Sequence, residues 1–117
     1  MKLLIVEDSQ SVRRVLKAVV APLSDDISIS ECADADEAVA LYRAEQPDFV
    51  LMDIDLGETN GIAATRQIKA IDPQARIIIV TNYDVADLRE AARQAGACGY
   101  VLKENLLPLQ QLLQVTS

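Results

Sequence analysis

The fold of this chain is decided by two stretches, Leu3-Leu4-Ile5-Val6-Glu7-Asp8 and Phe49-Val50-Leu51-Met52-Asp53, each an apolar run that ends in acidic residues. Unbroken apolar runs of this length are typical of strands covered on both faces of a parallel sheet. As strands of one sheet, they would bring Glu7, Asp8 and Asp53 to the same edge. Clustered carboxylates repel one another unless a cation or a proton offsets their charge, and oxygen ligands select a hard cation such as Mg²⁺. The two stretches therefore predict a metal-assisted site, with Asp53 as a candidate nucleophile.

Strand-like and helix-like segments alternate along the whole chain. The strand-like runs are Lys2–Glu7, Ile27–Cys32, Asp48–Asp53, Arg76–Thr81 and Gly99–Lys103. The spacing of apolar residues predicts helices over Ser11–Val20, Ala35–Glu45, Asn60–Ile71, Val85–Ala95 and Leu106–Val115. Five strand–helix units in series predict an α/β fold with a doubly wound, five-stranded parallel sheet.

The expected strand order is 2-1-3-4-5, as in flavodoxin-like (βα)5 domains. In such sheets ligands bind beyond the carboxyl ends of the strands, where the strand order reverses. For this order, that point lies between the first and third strands, which end in Glu7-Asp8 and in Asp53. The topology and the acidic residues thus predict the same place for the site. The other strands bring Thr81 and Lys103 to the same rim.

The composition bounds the function. The chain has 117 residues, half of them hydrophobic, and a net charge of −7 from 11 Lys and Arg against 18 Asp and Glu. This indicates one domain, 1–117, and argues against direct binding of nucleic acid, which rewards basic patches. No apolar stretch is long enough to span a membrane, and no signal peptide precedes the first strand. Cys32 and Cys98 lack metal-ligand spacing and are expected to be reduced thiols of a cytoplasmic protein. The chain has no His, which excludes histidine as a base or a metal ligand.

The motifs at the strand ends resemble those of receiver domains from two-component response regulators. They are Val6-Glu7-Asp8, Leu51-Met52-Asp53, Val80-Thr81 and Leu102-Lys103, with Gly61 eight positions after Asp53. Each motif is weak alone, but their order and spacing over the whole chain are specific. The stretch from Gly99 to Leu106 is most similar to the NarL/FixJ subgroup.

The resemblance implies a phosphorylation site that depends on Mg²⁺. Asp53 matches the phosphoacceptor, which takes its phosphoryl group from a phosphohistidine on a histidine kinase or a histidine phosphotransfer protein. Asp8 and Asp53 would bind Mg²⁺ directly, together with the backbone carbonyl of Asp55, and Glu7 would act through a water. The simpler interpretations are that Asp53 is an exposed strand-end acid and that Asp8 caps the first helix, a role that Ser9 or Gln10 could also take.

Three further residues match the family's switch. Lys103 matches the lysine that pairs with the phosphoryl group, and Thr81 matches the hydroxyl that binds it. Tyr100 matches the aromatic residue that moves when Thr81 moves. The simpler alternatives are a surface ion pair for Lys103, worth about 0–1 kcal/mol, a strand-forming β-branched residue for Thr81, and a half-buried edge residue for Tyr100.

Two surfaces are candidates for partner binding. The first helix places valines beside Arg13, Arg14 and Lys17, which suits docking of a kinase or phosphotransfer helix. The helices Val85–Ala95 and Leu106–Val115 could form a homodimer or contact an output or transcription-factor domain, the alternative being that the sheet covers the leucines of the second one. The chain ends at Ser117 without an output module, as expected of a stand-alone receiver or of one separated from a DNA-binding domain.

The chain departs from the family pattern at three positions. Glu104 replaces a proline that often follows the lysine in a cis peptide, and a trans peptide is expected because a cis bond before a non-proline residue costs ~2.5–4 kcal/mol. Gly57 replaces a proline, which favours a looser loop over residues 55–60. Asn82 replaces a very small residue and would crowd the phosphoryl pocket. Asp55 and Tyr83 flank the site at positions that vary among receivers.

Two other classes of function stay open. One is a Mg²⁺-dependent phosphohydrolase with Asp53 as its nucleophile, similar to the haloacid-dehalogenase group in its Asp53-Ile54-Asp55 sequence. The other is a binding module, either flavodoxin-like or a receiver-like protein that is not phosphorylated. The preferred interpretation is a phosphoacceptor switch that catalyses only its own phosphorylation and dephosphorylation and is not otherwise an enzyme.

Overall fold

A computed structural model describes residues 1–114 and contains a five-stranded parallel sheet with helices on both faces. The strands are β1 (Lys2–Val6), β2 (Ser28–Cys32), β3 (Phe49–Met52), β4 (Asp55–Leu56), β5 (Thr59–Asn60), β6 (Ile77–Thr81) and β7 (Gly99–Leu102). The helices are α1 (Gln10–Val20), α2 (Ala35–Glu45), α3 (Gly61–Ile71), α4 (Ala86–Ala95) and α5 (Leu107–Leu113), with a 3₁₀ turn at Ala21–Leu23.

The strand order of the main sheet is β2-β1-β3-β6-β7, with every neighbouring pair parallel. Counting only these five strands, the order is 2-1-3-4-5, so the predicted fold class and topology are confirmed. The central strands β3 and β6 are buried at every residue, whereas β2 lies at an edge and has exposed residues at Ser28 and Glu31. Unbroken apolar runs thus form the centre of the sheet, and the run Ile27-Ser28-Ile29-Ser30, in which apolar and polar residues alternate, forms its edge.

The core has one part on each face of the sheet. One part lies beneath α2, α3 and α4 and includes Val6, Met52 and Ile79. The other lies beneath α1 and α5 and includes Leu51 and Leu109. Because successive strand residues point to opposite faces, β1 and β3 contribute side chains to both parts and are held from both sides.

The helix boundaries follow their capping residues. Ser9 caps α1 by accepting a hydrogen bond from the Val12 amide, Asp34 caps α2, and Asn60 caps α3. Gly96 ends α4 with φ of +104°, a left-handed conformation that favours glycine. The predicted helices therefore agree with the observed ones to within one residue at most ends. The predicted end of the last helix at Val115 lies outside the described residues.

Residues 55–60 differ from the loose loop that Gly57 favours. They form a short antiparallel hairpin, β4–β5, in which Asp55 pairs with Asn60 and Leu56 with Thr59. The Thr59 hydroxyl holds the hairpin by donating to the Leu56 carbonyl at 3.1 Å and accepting from the Ala35 amide at 3.1 Å. Gly57 adopts φ of +72°, so glycine shapes the turn here instead of loosening it.

Both candidate partner surfaces keep some exposed apolar side chains. Val15 on α1 is 52% exposed and Leu107 on α5 is 75% exposed, whereas Leu109 and Leu113 of α5 are buried. The sheet therefore covers part of the apolar surface of α5 and leaves Leu107 outside. Among residues 1–114, no helix has the length and apolar character needed to cross a membrane.

Candidate functional site

Parallel pairing of β1 with β3 brings the three predicted acids together. Val6 is level with Met52 in the sheet, and the Asp53 amide donates to the Val6 carbonyl at 3.0 Å. The next residues, Glu7-Asp8 and Asp53, leave the sheet side by side. One carboxylate oxygen from each of Glu7, Asp8 and Asp53 lies within 4.8 Å of the other two. Glu7 and Asp53 are buried, and Asp8 is exposed.

Lys103 lies between the two buried carboxylates. Its Nζ is 2.9 Å from Asp53 Oδ2 and 2.6 Å from Glu7 Oε1. The Lys103 amide donates to the Thr81 carbonyl at 2.8 Å, which continues the β6–β7 pairing by one residue and carries the lysine to this rim. The contacts are therefore those of a partly buried ion-pair cluster, in which removal of one partner would leave a buried charge without compensation.

The electrostatics of this cluster reflect an excess of negative charge. Burial, assisted by the charge of Asp53, raises the pKa of the Glu7 carboxyl, although the contact with Lys103 and the hydrogen bond from the Ser9 amide act in the opposite direction. Burial alone would lower the pKa of Lys103, but its contacts with Glu7 and Asp53 outweigh burial and raise it. One ammonium facing two carboxylates stays protonated, and the site remains able to attract a further cation.

Asp8 does not cap the first helix, α1. Ser9 caps α1 in its place, with its Oγ 3.3 Å from the Val12 nitrogen. Within residues 1–114, the Asp8 carboxylate has no hydrogen bond or ion pair. Exposed and unpartnered, it can bind a cation that keeps several of its waters.

The predicted switch residues Thr81 and Tyr100 both contact Tyr83. Thr81 is fully buried, and its hydroxyl accepts a hydrogen bond from the Tyr83 amide at 3.4 Å. The Tyr100 hydroxyl donates to the Tyr83 carbonyl at 2.7 Å, and the Arg89 guanidinium lies over the Tyr100 ring at 4.6 Å. The hydroxyls of Thr81 and Tyr100 are thus both hydrogen-bonded to the backbone of Tyr83.

Two of the positions that depart from the family pattern directly follow the site residues Thr81 and Lys103. Asn82 and Glu104 are exposed, and the Lys103–Glu104 peptide is trans, as expected. The Tyr83 hydroxyl is 3.4 Å from Asp55 Oδ2, which joins the β6–α4 connection to the β4–β5 hairpin. The Asp55 side chain therefore faces Tyr83, and no carboxylate ligand from Asp55 joins the cluster of Glu7, Asp8 and Asp53.

Two contacts with Glu7 were not predicted from the sequence. The Ser9 amide donates to Glu7 Oε2 at 3.0 Å, and Arg13 Nη1 donates to the Glu7 carbonyl at 2.6 Å. The sequence signals Arg13 only as one of three basic residues on α1, and its spacing from Glu7 becomes meaningful once the turn between β1 and α1 is known.

Comparison with known proteins gives the family. Residues 3–115 match the family model described as the response regulator receiver domain. This chain is a response regulator receiver domain. Receiver domains are phosphoacceptor switches that are generally not classed as enzymes, and they bind Mg²⁺ in an acidic pocket. The predicted resemblance is therefore confirmed.

Individual relatives include both CheY proteins and transcriptional regulators. The receiver is 34% identical to the chemotaxis protein CheY of Bacillus subtilis, over 87% of this chain and 84% of that protein. It is 35% identical to the uncharacterized transcriptional regulatory protein YhcZ of Bacillus subtilis, over 89% of this chain and 49% of that protein. A LuxR-family two-component response regulator from Aurantimonas sp. SI85-9A1 superposes with a TM-score of 0.86 at 35% identity, over 97% of this chain and 81% of the other. The receiver thus spans about half the length of the regulator YhcZ.

Proposed function

We propose that this receiver is switched by phosphorylation of Asp53, with a histidine kinase or a histidine phosphotransfer protein as the phosphoryl donor. The observation that carries the proposal is the contact of Lys103 Nζ with Asp53 Oδ2 at 2.9 Å inside the acidic cluster of Glu7, Asp8 and Asp53. This combines a carboxylate nucleophile, a fixed cation and a set of oxygen ligands for a divalent ion. Phosphoryl transfer depends on positioning and charge stabilisation of this kind.

The Asp53 carboxylate has one oxygen available for reaction. Oδ2 is bonded to Lys103, while Oδ1 accepts no hydrogen bond from any of residues 1–114. Attack by Oδ1 on the phosphorus forms an acyl phosphate as the phosphorus–nitrogen bond to the donor histidine breaks. Lys103 then pairs with a phosphoryl oxygen, since its ammonium acts as a point charge on a flexible stem.

The residues at the rim fit Mg²⁺ as the cofactor. Every candidate metal ligand here is an oxygen atom. The buried Glu7 Oε1 lies in an ion pair with Lys103 but, within the part of the chain that the structure describes, accepts no hydrogen bond. Asp8 and Asp53 would bind the ion directly, Glu7 through a water, and the Asp55 carbonyl would complete the protein ligands. Bound Mg²⁺ supplies the charge that offsets repulsion between the carboxylate and the anionic phosphoryl group.

The conformational output runs through the segment 81–83. The added phosphoryl charge at Asp53 draws the Thr81 hydroxyl away from the Tyr83 amide, to which it is now bonded. Tyr83 also holds Tyr100 through its carbonyl, so a shift of this segment changes the position of the Tyr100 ring. The surface formed by Tyr100, α4 and α5 would then control a homodimer, an output partner or a transcription-factor domain.

The test is intact-mass measurement after incubation with acetyl phosphate or phosphoramidate and Mg²⁺. The expected result is a stable adduct of ~80 Da, the mass of one phosphoryl group, in the wild-type protein and in Asp25→Asn but not in Asp53→Asn. Asp25 is a matched control because it is an exposed acid that precedes β2. It therefore lies at the amino ends of the strands, whereas Asp53 lies at the carboxyl ends. An adduct that persists in Asp53→Asn would overturn the proposal.

The other two classes of function are not favoured by the family match. A phosphohydrolase would turn over many phosphate esters and would not accumulate the adduct. A binding module without phosphorylation would give no adduct at all. The same mass measurement, extended over time, therefore separates all three.

A further inference from the structure

Arg13 connects three parts of the molecule next to the acidic cluster. From α1, its Nη1 donates to the Glu7 carbonyl at 2.6 Å, and its Nε donates to Glu31 Oε1 on β2 at 3.1 Å. The side chain is only 20% exposed. Glu31 also pairs with Lys17 at 2.9 Å, so the carboxylate that anchors Arg13 is itself held in place.

The Glu7 carbonyl controls the direction of Asp8. That carbonyl and the Asp8 N–H belong to one planar peptide unit, so fixing the oxygen also fixes the bond from which Asp8 begins. On its other side, the Glu7 amide is bonded to the Cys32 carbonyl at 3.0 Å. The Asp8 side chain has no partner of its own in the described part of the chain. The orientation of this ligand therefore depends on its backbone.

Arginine suits this position because its donors form a rigid, planar fork. One guanidinium reaches an acceptor just after β1 and another on β2 at the same time, and each contact fixes the direction of the other. A lysine has a single nitrogen on a flexible stem, so it lacks the two separate, coplanar donors that make these contacts. The pair of contacts made by Arg13 is thus specific to the guanidinium.

We propose that Arg13 is a positioning residue for divalent-cation binding, which aims Asp8 at the cation by holding the Glu7 carbonyl. The inference rests on the proposed function, because it takes Asp8 as a ligand for Mg²⁺. Hydrogen-bond partners that orient metal ligands typically contribute tenfold or more to metal affinity. We expect Arg13→Gln to weaken Mg²⁺ binding roughly three- to tenfold. The effect is small for a partner of this kind because Arg13 orients Asp8 indirectly, through the backbone.

Simple electrostatics predicts the opposite sign. Arg13 is a cation close to a cation site, so its removal would strengthen Mg²⁺ binding if only charge mattered. Lys17→Gln provides the matched control, since it removes one positive charge from the same face of α1 and from the same Glu31 without touching Glu7. Positioning and charge are therefore separated by the direction of the change.

The experiment is calorimetric titration of the purified full chain with MgCl₂ in the absence of any phosphodonor. The expected order of affinity is Lys17→Gln equal to or tighter than wild type, and Arg13→Gln weaker than both. Arg13→Gln with an affinity equal to or above that of Lys17→Gln would overturn the proposal. Failure of the wild type itself to bind Mg²⁺ would instead overturn the metal site on which the proposed function depends.

Two further measurements guard against a general loss of structure. In ¹H–¹⁵N spectra of the metal-free protein, the Asp8 amide is expected to shift in Arg13→Gln and to stay in place in Lys17→Gln. If Arg13→Gln does not fold, Arg13→Lys replaces it, because it keeps the charge but loses the fork. Mg²⁺ binding by Arg13→Lys as tight as that of the wild type, which has the same charge, would then overturn the proposal.

Discussion

At Gly61 the start of α3 lies directly against the backbone of Asp53. A Cβ atom at this position would lie 1.8 Å from the Asp53 carbonyl oxygen and 2.9 Å from Met52 Cγ. The Gly61 amide also donates to the Ile54 carbonyl at 2.9 Å, so the start of α3 is held against the end of β3. Glycine eight positions after Asp53 is therefore required by contact, although its φ is ordinary.

We predict that Gly61→Ala lowers the free energy of unfolding by about 3 kcal/mol, at the upper end of overpacking effects. Urea denaturation followed by circular dichroism measures the change. Gly57→Ala is the matched control, because Gly57 has φ of +72° but no atom within 4 Å of an added Cβ. That substitution should cost ~1–2 kcal/mol from backbone conformation alone. Equal losses in the two variants would contradict a steric role for Gly61.

Among elements, α5 shows how one helix divides its leucines between core and surface. Leu109 is fully buried in the part of the core that also contains Leu16 and Val101, whereas Leu107 is 75% exposed. The sequence alone did not decide whether the sheet covers the leucines of this helix. The structure shows that the cover is partial, which keeps Leu107 available to a partner.

We predict that Leu109→Ala costs about 2–5 kcal/mol of stability, the usual range for emptying a buried leucine site. Leu107→Ala removes the same atoms from the same helix and should change stability by less than about 0.5 kcal/mol. Thermal unfolding of both variants beside the wild type makes the comparison. A large loss in Leu107→Ala would mean that another part of the chain covers this side chain.

The hairpin β4–β5 is the element that sequence reasoning missed. Its strands have two residues each, and they are held by the Thr59 hydroxyl and by the left-handed turn at Gly57. A two-residue strand has no periodicity to detect, and glycine fits a flexible loop as well as a tight turn. The longer elements were predictable because their apolar pattern continues over more than one turn in each helix and over four or five residues in each strand of the main sheet.

For the molecule as a whole, two buried groups predict a loss of stability in alkali. Burial raises the pKa of the Cys32 thiol to about 12, and burial together with Asp72 raises that of Tyr42 to about 12. Ordinary values for these groups are 9.0 and 10.0. In the window between the ordinary and the raised values, the unfolded chain releases these protons and the native chain keeps them, so unfolding becomes more favourable as pH rises.

At about 1.4 kcal/mol for each tenfold change in proton affinity, Cys32 should account for a loss of roughly 2 kcal/mol between pH 8 and pH 10.5. Urea midpoints at both pH values measure it. Cys32→Ala should flatten the pH dependence, while Cys98→Ala should change it less because Cys98 is exposed. The same pH dependence in Cys32→Ala and in the wild type would contradict the assignment.

The five strand–helix units and the meeting of Glu7, Asp8 and Asp53 at one rim could be predicted from the amino-acid sequence alone. These follow from the apolar pattern, which specifies burial, and from the rule that parallel strands end at one edge of a sheet. The folded structure was needed to show that Lys103 contacts Glu7 as well as Asp53, that Ser9 and not Asp8 caps α1, and that Arg13 donates a hydrogen bond to the Glu7 carbonyl. Those contacts depend on the angles at which side chains leave turns, and one-dimensional patterns of polarity do not encode such angles.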